Sequence, residues 1–462
     1  MRIEASNLSA QSAVGLAAGC ALASSWFFQP DPLLPLLVSI FAALLVCAIT
    51  QPFYVCLGFA AFSFFRLHEA YPFLYPLELP LLLGAATMAG LCTHIFIVRS
   101  IRPVWSAELK WFSVFFVLAT LGIAVAYNRD VSWTFWSTVY WKIGLMTLAI
   151  AWLPRSSADF QAAARIFVIG GLLIAAVTIY NAYHGIGFVE LTRVTVGREL
   201  NSLLGDPNDL ALVLLFPLSF SVALALPGNE KLNRILGTAG IATIIPSIVF
   251  TQSRGGLLGV LAVLAAYGLR HVRSKAMVVV LVIVGAFLLY SAMGISSRIS
   301  GGGVQQGLDE SAQERLSAWG AAIHMALAKP LTGVGIANFA PSFFSYVEDF
   351  PGRDMTAHST WFGVLGETGW PGLITFLLMV GVCFRSVLQS YVRLMASGAP
   401  AIMSATAFAL ISGLLGFCVA GSFLTQGFGW PIYIMVGLTA AVSRYSASRR
   451  DLPVTFKPKA AH

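Results

Sequence analysis

The sequence predicts an all-α protein that crosses a membrane many times. Of its 462 residues, 58% are hydrophobic and only 10% are charged, whereas a soluble domain carries about 25% charged residues. Apolar runs long enough to span a bilayer recur from one end of the chain to the other. The runs are continuous rather than alternating, which disfavours a membrane barrel built from strands.

Fourteen apolar runs are candidate membrane helices, and several lie near the lower limit of about 17 residues for a span. Two pairs of runs, 33–49 with 52–66 and 233–251 with 254–270, are each separated by only two residues, so each pair is open to being one kinked or re-entrant element. We expect one membrane domain, 1–462, with about 12–14 spanning helices. The runs are 11–28, 33–49, 52–66, 76–97, 110–127, 132–153, 161–182, 207–226, 233–251, 254–270, 276–292, 359–383, 401–421 and 427–443.

Positive charges predict how these runs are oriented. Lysine and arginine concentrate in the cytoplasmic loops of membrane proteins, so the basic tail that begins at Arg444 is predicted to be cytoplasmic. Counting spans backwards places the N-terminus in the cytoplasm too, and the loops richest in lysine and arginine fall on that side. This bias explains the net charge of +8 without nucleic acid as a partner.

The same count places three connections on the outer side, namely 183–206, 252–253 and the long loop 293–358. Within the long loop, apolar residues recur at helical spacing from about 311 to 328. This pattern predicts an amphipathic helix on the outer surface, which Pro330 would stop. Its apolar positions are Leu316, Trp319, Ile323 and Leu327.

Arg254, in the stretch "TQSRGGLLG", departs from the rule that short outer loops are poor in arginine. A charged residue at the end of a membrane helix indicates a functional site, although an arginine there can also reach lipid phosphates. Gly255 and Gly256 are expected to leave the backbone open to the close approach of a ligand. We therefore interpret Arg254 as a binding residue.

Three further cations need an explanation. Arg193 and Arg198 both reach the outer edge just before a helix that Asp206 should cap, with Pro207 at its first position. Lys142 lies about ten residues into a span. It therefore needs a partner or a polar cavity, and its role is open to a structural and a functional interpretation.

His358 directly precedes a span, in "AHSTWF". A histidine transfers protons near neutral pH, and a role at the helix start is the alternative. The sequence has no cluster with the spacing of metal ligands, no phosphate-binding loop of the ATPase type and no nucleophile elbow. The outer arginines remain, and arginine binds phosphate through paired donors.

Four segments carry a family resemblance: "SLLGDPNDLALVL", "TQSRGGLLGVL", "ERLSAWGAAIHMALAKPLTGVGIANF" and "AHSTWFGVLGETGWPGLITFLL". In order and spacing, over roughly 200–380, they resemble the signatures of the O-antigen ligase and Wzy polymerase superfamily. The resemblance implies a GT-C-like helix bundle in the bacterial inner membrane that transfers glycans at the periplasmic face without metal or cofactor. The implied donor is a glycan on undecaprenyl diphosphate. Membrane lipid is a further partner, and a chain-length regulator is a candidate one.

The resemblance extends to individual residues. Arg254 and His358 match the family's arginine and histidine, and Arg198 is a looser match, while Ser359 stands where the family often has Asn. The implied roles are charge neutralisation by the arginines and proton acceptance by His358. The predicted residues are His358 and Arg254 for catalysis, Arg198, Arg254, Arg193 and Lys142 for the donor diphosphate, and Arg315 and Trp319 for glycan or acceptor contact.

Several functions stay open at the level of sequence. We favour a polymerase of lipid-linked repeat units, because "GDPNDLA" and "HSTWF" with "GETGWPGL" look like exopolysaccharide polymerases. A ligase that moves the glycan to lipid A–core is the first alternative. A secondary transporter of an anion would explain many helices and Lys142, but it predicts inverted repeats and charges near the midplane. A scaffold role explains none of the arginines.

Overall fold

The computed structural model describes residues 33–200, 202–292, 310–348 and 355–449, together with residues 19–20, 23–24 and 26. They confirm the predicted all-α fold, with a single two-stranded antiparallel sheet of β1 (Phe188–Val189) and β2 (Arg193–Val194). The helices of this part of the chain are α1 Leu33–Thr50, α2 Pro52–Phe64, α3 Leu67–Ala70, α4 Leu79–Cys92, α5 Ala107–Gly122, α6 Arg129–Phe135, α7 Trp141–Trp152, α8 Ser157–His184, α9 Pro207–Ala225, α10 Lys231–Thr251, α11 Arg254–His271, α12 Lys275–Ala292, α13 Glu310–Ala328, α14 Phe339–Ser342, α15 Thr360–Ala396, α16 Ala401–Gly421 and α17 Trp430–Ser448.

Seven helical stretches in the described residues are long and apolar enough to cross a membrane. They are Leu79–Ile97, Ala107–Val125, Ser157–His184, Pro207–Ala225, Lys231–Thr251, Thr360–Ala396 and Ala401–Gly421. Pro35–Thr50, Pro52–Phe64 and Lys275–Leu288 are apolar but shorter. The multi-pass architecture is confirmed, whereas the total of 12–14 spans stays a prediction. Most of the predicted run 11–28 lies outside the described residues.

One end of the bundle is held together by arginines that bind backbone carbonyl groups. Arg444 Nη1 donates to the carbonyl oxygen of Trp152 at 3.1 Å, and Arg155 Nη2 donates to that of Ser100 at 2.6 Å. These contacts gather the ends of α7 and α17 and the connection after α4. We call this the tail end, because the basic tail follows Arg444.

The opposite end, which we call the far end, carries Arg254. The 19 residues of α17 extend about 28 Å at 1.5 Å per residue, so the connection 422–429 before it lies away from the tail end. Gly255 packs against Phe423 of this connection. Arg254 and Arg444 therefore lie at opposite ends, in agreement with the span count. The side of the membrane that each end faces stays a prediction.

The two closely spaced pairs of runs are separate helices. α1 and α2 are joined at Gln51, and α2 then packs alongside α4, where a Cβ atom on Gly58 would lie 3.2 Å from Leu83. α10 and α11 are joined through Gln252, which has a left-handed backbone with φ 50°. Neither pair is therefore a single kinked helix.

α2 is shorter than the predicted run 52–66 and ends inside the bundle. Its 13 residues are fewer than the roughly 17 that a span needs. Phe65, just after α2, packs against Gly170 in the middle of α8, where a Cβ atom would come within 2.5 Å of the phenyl ring. The connection 66–78 is therefore set into the bundle beside α8.

α15 changes direction sharply at Gly369, which has φ 68° and ψ −170°. The rings of Trp361 and Phe376 lie 6.0 Å apart, whereas a straight helix would separate these positions by about 22 Å along its axis. The segment 360–368 therefore folds back against 370–396. This fold-back places the start of α15, and His358 before it, within the bundle rather than at the tip of a long straight helix.

Replacing Gly369 with alanine should destabilise this fold-back. The backbone conformation is one that only glycine adopts readily, with a strain of about 1–3 kcal/mol for other residues. A Cβ atom would also lie 2.5 Å from the carbonyl oxygen of Pro330. We expect Gly369→Ala to lower the thermal unfolding midpoint of the purified protein in detergent.

Gly381→Ala is the matched control, because Gly381 lies in the same helix and a Cβ atom there meets nothing within 4 Å. Alanine is the better helix former by about 1 kcal/mol, so this variant should unfold at the same temperature or higher. Equal midpoints for Gly369→Ala and the unchanged protein would show that the bend does not depend on Gly369.

Candidate functional site

Arg254 projects from a helix start that is firmly packed on its other sides. Ser253 caps α11 by accepting a hydrogen bond from the backbone nitrogen of Gly256 at 3.2 Å. Arg254 is exposed, whereas Ser253, Gly255 and Gly256 are buried. A Cβ atom on Gly255 would lie 3.2 Å from Phe423, and one on Gly256 would lie 2.6 Å from a side chain of α9. The expectation that these glycines leave room for a ligand is wrong, because they let α11 approach α9 and α16.

Arg193 braces the connection before α9. Its Nε donates to the carbonyl oxygen of Thr251 at 3.0 Å, and its Nη2 donates to Asn208 Oδ1 at 2.7 Å. Its Nη1 lies 3.6 Å from Glu190 Oε1, and the side chain is only 11% exposed. Arg193 therefore ties β2 to the end of α10 and the start of α9. Its predicted contact with the donor stays a prediction.

The start of α9 has the predicted cap and an additional link that the sequence did not reveal. Asp206 Oδ1 accepts hydrogen bonds from the backbone nitrogens of Asn208 at 2.7 Å and Asp209 at 3.3 Å, with Pro207 at the first helical position. Asp209 in turn accepts from Gln426 Nε2 at 2.5 Å. Because Gln426 is only 3% exposed, this bond joins α9 to the connection 422–429 in a buried setting.

His358 lies on a left-handed turn immediately before α15, with φ 46°, and it is half-buried. Histidine is one of the residues that tolerate a positive φ better than most. Two positions later, Thr360 Oγ1 donates to the carbonyl oxygen of Leu424 at 2.7 Å and accepts from the backbone nitrogen of Gln426 at 3.1 Å. The connection 422–429 therefore fixes the helix start next to His358.

This connection brings the two residues of the predicted catalytic pair to the same end of the bundle. It contacts the start of α11 through Phe423, the start of α15 through Leu424 and the start of α9 through Gln426. Three helix N-termini therefore meet there, and a fourth, that of α17, follows directly. Helix N-termini carry partial positive charge and favour anions. The arrangement suits a negatively charged ligand between Arg254 and His358.

The hydrogen bond between Asp209 and Gln426 can be tested by exchanging the acid and the amide between the two positions. Gln426→Glu should place two carboxylates at hydrogen-bonding distance in a buried position, which is unfavourable unless one is protonated. We expect a lower thermal unfolding midpoint and reduced activity. In the double variant Gln426→Glu with Asp209→Asn, the asparagine amide donates to the new carboxylate and should restore much of both.

Asp209→Asn alone is the control, since its side-chain oxygen still accepts from Gln426 and only a small change is expected. If Gln426→Glu is damaging and the double variant is no better, the two side chains do not act as a bonded pair. The double-mutant comparison thus isolates the pairwise interaction.

Lys142 belongs to a second group of charged residues. It lies near the middle of the helical stretch 129–152 and lines a pocket of about 310 Å³ between this stretch, α2 and the connection 66–78. Arg66 in the same pocket pairs with Glu69, with Nη1 2.8 Å from Oε1. The pocket is lined by Phe59, Ser63, Arg66, His68, Tyr75, Glu78, Pro80, Leu81, Thr138, Val139, Lys142 and Trp430.

Arg198 lies between this pocket and the start of α9. It is exposed in a short 3-10 turn, Arg198–Leu200. The preceding Gly197 packs on Glu69, where a Cβ atom would lie 3.5 Å from the Glu69 Cβ, and Gly205 packs against Arg198 itself. The predicted donor-binding cations are therefore divided between two groups. Arg254 and Arg193 lie at the helix N-termini, and Lys142 lies in the pocket with Arg198 nearby.

The segment predicted as an amphipathic helix on the outer surface, about 311–328, is helical as α13, Glu310–Ala328, and its surface location stays a prediction. Its packed face consists of small residues and one methionine, whereas the three aliphatic positions of the predicted apolar stripe are exposed. The buried residues are Ala318, Ala321, Ala322, Met325 and Ala326, and the exposed ones are Leu316 at 52%, Ile323 at 39% and Leu327 at 64%. Alanine allows close approach between helices. The small size of the side chains, and not their hydrophobicity, therefore determines which face of α13 packs against the bundle.

Trp319 connects α13 to the short first half of α15. Its ring stacks on Phe362 with centroids 5.0 Å apart and planes at 13°, and its Nε1 is buried without a hydrogen-bond partner among the described residues. Arg315, one turn earlier, is half-buried. Both residues are thus on the element that packs over the helix following His358.

Two residues that the sequence reading missed hold the long loop in place. Glu367 is 8% exposed, and its two carboxylate oxygens accept from the backbone nitrogens of Ala337 at 3.1 Å and Phe339 at 3.0 Å. Asn338 exchanges two hydrogen bonds with the backbone of Asn128, at 2.9 and 3.1 Å. These bonds attach the loop to α15 and to the start of α6. The single acidic residue in "GETGWPGL", inside an apolar run, was the sequence feature that could have indicated a buried role for Glu367.

Within the described residues, no three His, Cys, Asp or Glu side chains are grouped so that they could hold a metal ion. The polar groups at the far end include an exposed arginine, a half-buried histidine and several helix N-termini, together with the two aspartates at the start of α9. Their chemistry suits anion binding and proton transfer.

The fold defines a polytopic helical membrane protein, and its far end brings together the helix starts that carry Arg254 and precede His358. Residues 239–377 match the family model described as O-antigen ligase. The match contains Arg254 and His358, and it confirms the resemblance to the O-antigen ligase and Wzy polymerase superfamily over this segment. It is shorter than half of the chain and begins after Arg198. Together with the seven apolar helical stretches, this match over part of the chain indicates a multi-pass bacterial membrane protein with a glycosyltransferase-like activity. No curated protein matches the chain.

Proposed function

We propose that the protein polymerises oligosaccharide repeat units carried on undecaprenyl diphosphate, at the periplasmic face of the inner membrane. The observation that carries the proposal is that Arg254 and His358 lie at two helix starts that contact the same connection, 422–429. The C-terminal tail would then be cytoplasmic, because Arg254 and Arg444 lie at opposite ends of the bundle. The predicted even number of spans, fourteen, would place the N-terminus on the same side. A chain-length regulator remains a candidate partner.

In this mechanism Arg254 contacts the donor diphosphate. Its guanidinium, together with the N-termini of α11 and α15, would stabilise the negative charge that grows on the diphosphate as the sugar–phosphate bond breaks. Ser359, the first residue before α15, makes no side-chain cap. In this proposal the first backbone N–H groups of α15 would contribute to binding the anion next to His358.

His358 acts as the general base for the acceptor. The acceptor hydroxyl oxygen bonds to the anomeric carbon, the bond from that carbon to the phosphate oxygen breaks, and the electron pair leaves with the lipid diphosphate. His358 takes the hydroxyl proton. Arg198 would contact the donor from the connection before α9, and Arg193 would hold that connection in place. Arg315 and Trp319 would contact the glycan from α13.

A ligase that transfers the glycan to lipid A–core is the alternative, and the matched family model is compatible with either activity. The two activities share the donor and differ in the acceptor. Both use an acceptor hydroxyl, so the roles proposed for Arg254 and His358 apply to either one.

The deciding experiment supplies purified protein in lipid nanodiscs with lipid-linked oligosaccharide, with and without lipid A–core. A polymerase gives a ladder of products that increase by one repeat unit without lipid A–core. A ligase gives a glycosylated lipid A–core and no ladder. If neither product forms, while a lipid-linked substrate of the cognate repeat unit is present, the proposed glycosyl transfer is wrong.

A further inference from the structure

The β1–β2 hairpin presents an exposed leucine at its tip, in a strained backbone conformation. Glu190 and Leu191 form the turn, with φ 50° and 67°, in the left-handed region that a bulky side chain adopts only under strain. Leu191 is 89% exposed, so its side chain packs very little against the described residues. Strain of this kind persists where the surrounding structure holds the backbone in place, and it is frequent at binding elements.

The leucine continues an apolar stripe that runs along α8. The members of the stripe are exposed and recur at helical spacing, as the lipid-facing side chains of a membrane helix do. They are Ile169, Leu173, Ala176, Tyr180 and Tyr183, and exposed Phe188 of β1 follows them. The hairpin therefore extends the lipid-facing surface of α8 beyond the end of the helix.

The length of α8 places the two tyrosines of the stripe at the edge of the membrane. Near the tail end, Arg165 Nη2 lies 2.8 Å from Glu230 Oε2, and the Glu230 side chain is 66% exposed. Such a charged pair belongs at the aqueous boundary. Tyr183 follows Arg165 by about 27 Å along the same helix, compared with a hydrocarbon thickness of about 30 Å. Tyr183 therefore reaches the other boundary, where tyrosine is enriched in membrane proteins.

The hairpin is also bonded to the junction between α10 and α11. Thr192 Oγ1 donates to Gln252 Oε1 at 3.0 Å, beside the bond that β2 makes to the end of α10. The ring of Tyr183 packs against that of Phe250, in the last turn of α10, with centroids 6.3 Å apart. The depth of the hairpin in the membrane is therefore coupled to the depth of Arg254, which begins α11.

We propose that the hairpin and the end of α8 form an anchor in the lipid leaflet at the far end. Leu191 and Phe188 insert among the lipids, and the anchor holds Arg254 at the level of the lipid phosphate groups. The second part rests on the proposed function, because the diphosphate of a lipid-linked donor lies at that level. Glu190, which is 56% exposed and 3.6 Å from Arg193 Nη1, limits the insertion to the boundary, since a carboxylate is costly in hydrocarbon.

The depth of Leu191 can be measured by electron paramagnetic resonance in nanodiscs of phosphatidylethanolamine and phosphatidylglycerol. A nitroxide is attached to Leu191→Cys in the full-length chain, with the six native cysteines replaced by alanine. We expect oxygen, which partitions into lipid, to relax this label more than a water-soluble nickel chelate does. Leu173→Cys, in the middle of the stripe, should show this preference more strongly. Glu348→Cys, at a side chain that is 83% exposed, should show the opposite preference.

A label at Leu191 that is as accessible to nickel as the label at Glu348 would overturn the anchor. The exposed leucine would then be better explained as a contact for another protein. Leu191→Asp should leave the thermal unfolding midpoint in detergent unchanged, because the side chain is so exposed, and it therefore serves as a folded variant for the second measurement.

The link to Arg254 is tested by binding, with undecaprenyl diphosphate titrated in the same nanodiscs. Leu191→Asp should raise the dissociation constant about fivefold or more, as for other couplings between sites, whereas Leu191→Met should not change it. Thr192→Val removes the bond to Gln252, so it should weaken binding while the label at Leu191 keeps its depth. Unchanged binding in Leu191→Asp would overturn the positioning role. Neither measurement depends on glycan transfer, so a failed polymerase assay and a failed anchor are separate results.

Discussion

Arg254→Gln should reduce glycan transfer by about two to three orders of magnitude, the effect typical of removing a donor that stabilises transition-state charge. The glutamine keeps hydrogen-bonding capacity but removes the positive charge from the start of α11. Since Arg254 is exposed and Gly255 carries the packing against Phe423, the folded structure should be preserved. The measurement is the initial rate of ladder formation at saturating donor, together with the thermal unfolding midpoint.

Arg270→Gln is the matched control for this prediction. Arg270 lies in the last turn of the same helix and donates from Nε to Tyr391 Oη at 2.7 Å, so its replacement removes one charge from α11 at the opposite end. We expect this variant to keep most of the activity. If Arg254→Gln still builds long polymer at a normal rate, Arg254 does not act on the donor and a contact with lipid phosphate becomes the better interpretation.

His358→Asn should lower the turnover rate by about 10² to 10⁴, which is the contribution of a general base. Asparagine is chosen because it also tolerates the positive φ of 46° at this position. A loss of activity would then report the missing imidazole rather than backbone strain. The first-order rate with lipid-linked donor should fall, while the number of bound undecaprenyl diphosphates stays at the unchanged value.

His324→Asn controls for the loss of a histidine from the same loop region. His324 lies on α13, where its Nδ1 contacts the backbone oxygen of Tyr346 at 2.9 Å, and it has no role in the proposed transfer. Its replacement should have little effect on turnover. Comparable rates for His358→Asn and the unchanged protein would exclude His358 as the base, whereas a normal rate with weaker lipid binding would assign it to the donor.

Local features of the chain were predictable because their causes lie within a few residues. The cap at Asp206, followed by Pro207 at the first helical position, depends on a side chain that bonds to the adjacent backbone. The extent of α13 follows from the helical spacing of its apolar residues. Counting the spans from the basic tail also placed Arg254 at the opposite end of the bundle, because successive spans cross the membrane in opposite directions. The family resemblance then singled out Arg254 and His358, both of which lie in the matched segment.

Features that depend on contacts between distant residues were not predictable. The pair Asp209 and Gln426 is separated by 217 positions, and no local pattern relates the two. Gly255 and Gly256 had suggested an open backbone beside Arg254, yet neighbouring helices fill that space. The "GWP" in "GETGWPGL" did contain a break signal, but only the packing of Trp361 on Phe376 shows that 360–368 folds back.

The sequence by itself determined that the protein is a polytopic helix bundle, and it showed which helix ends carry charged residues. It also identified the arginine and the histidine of the matched segment. Hydropathy and charge act locally, through the cost of placing each residue in lipid. The tertiary structure decided which of these charges lie together. Helix packing brings the starts of α9, α11 and α15 onto one connection, and it places Lys142 with Arg66 in a separate pocket, because side-chain shape and glycine contacts select the neighbours of each helix.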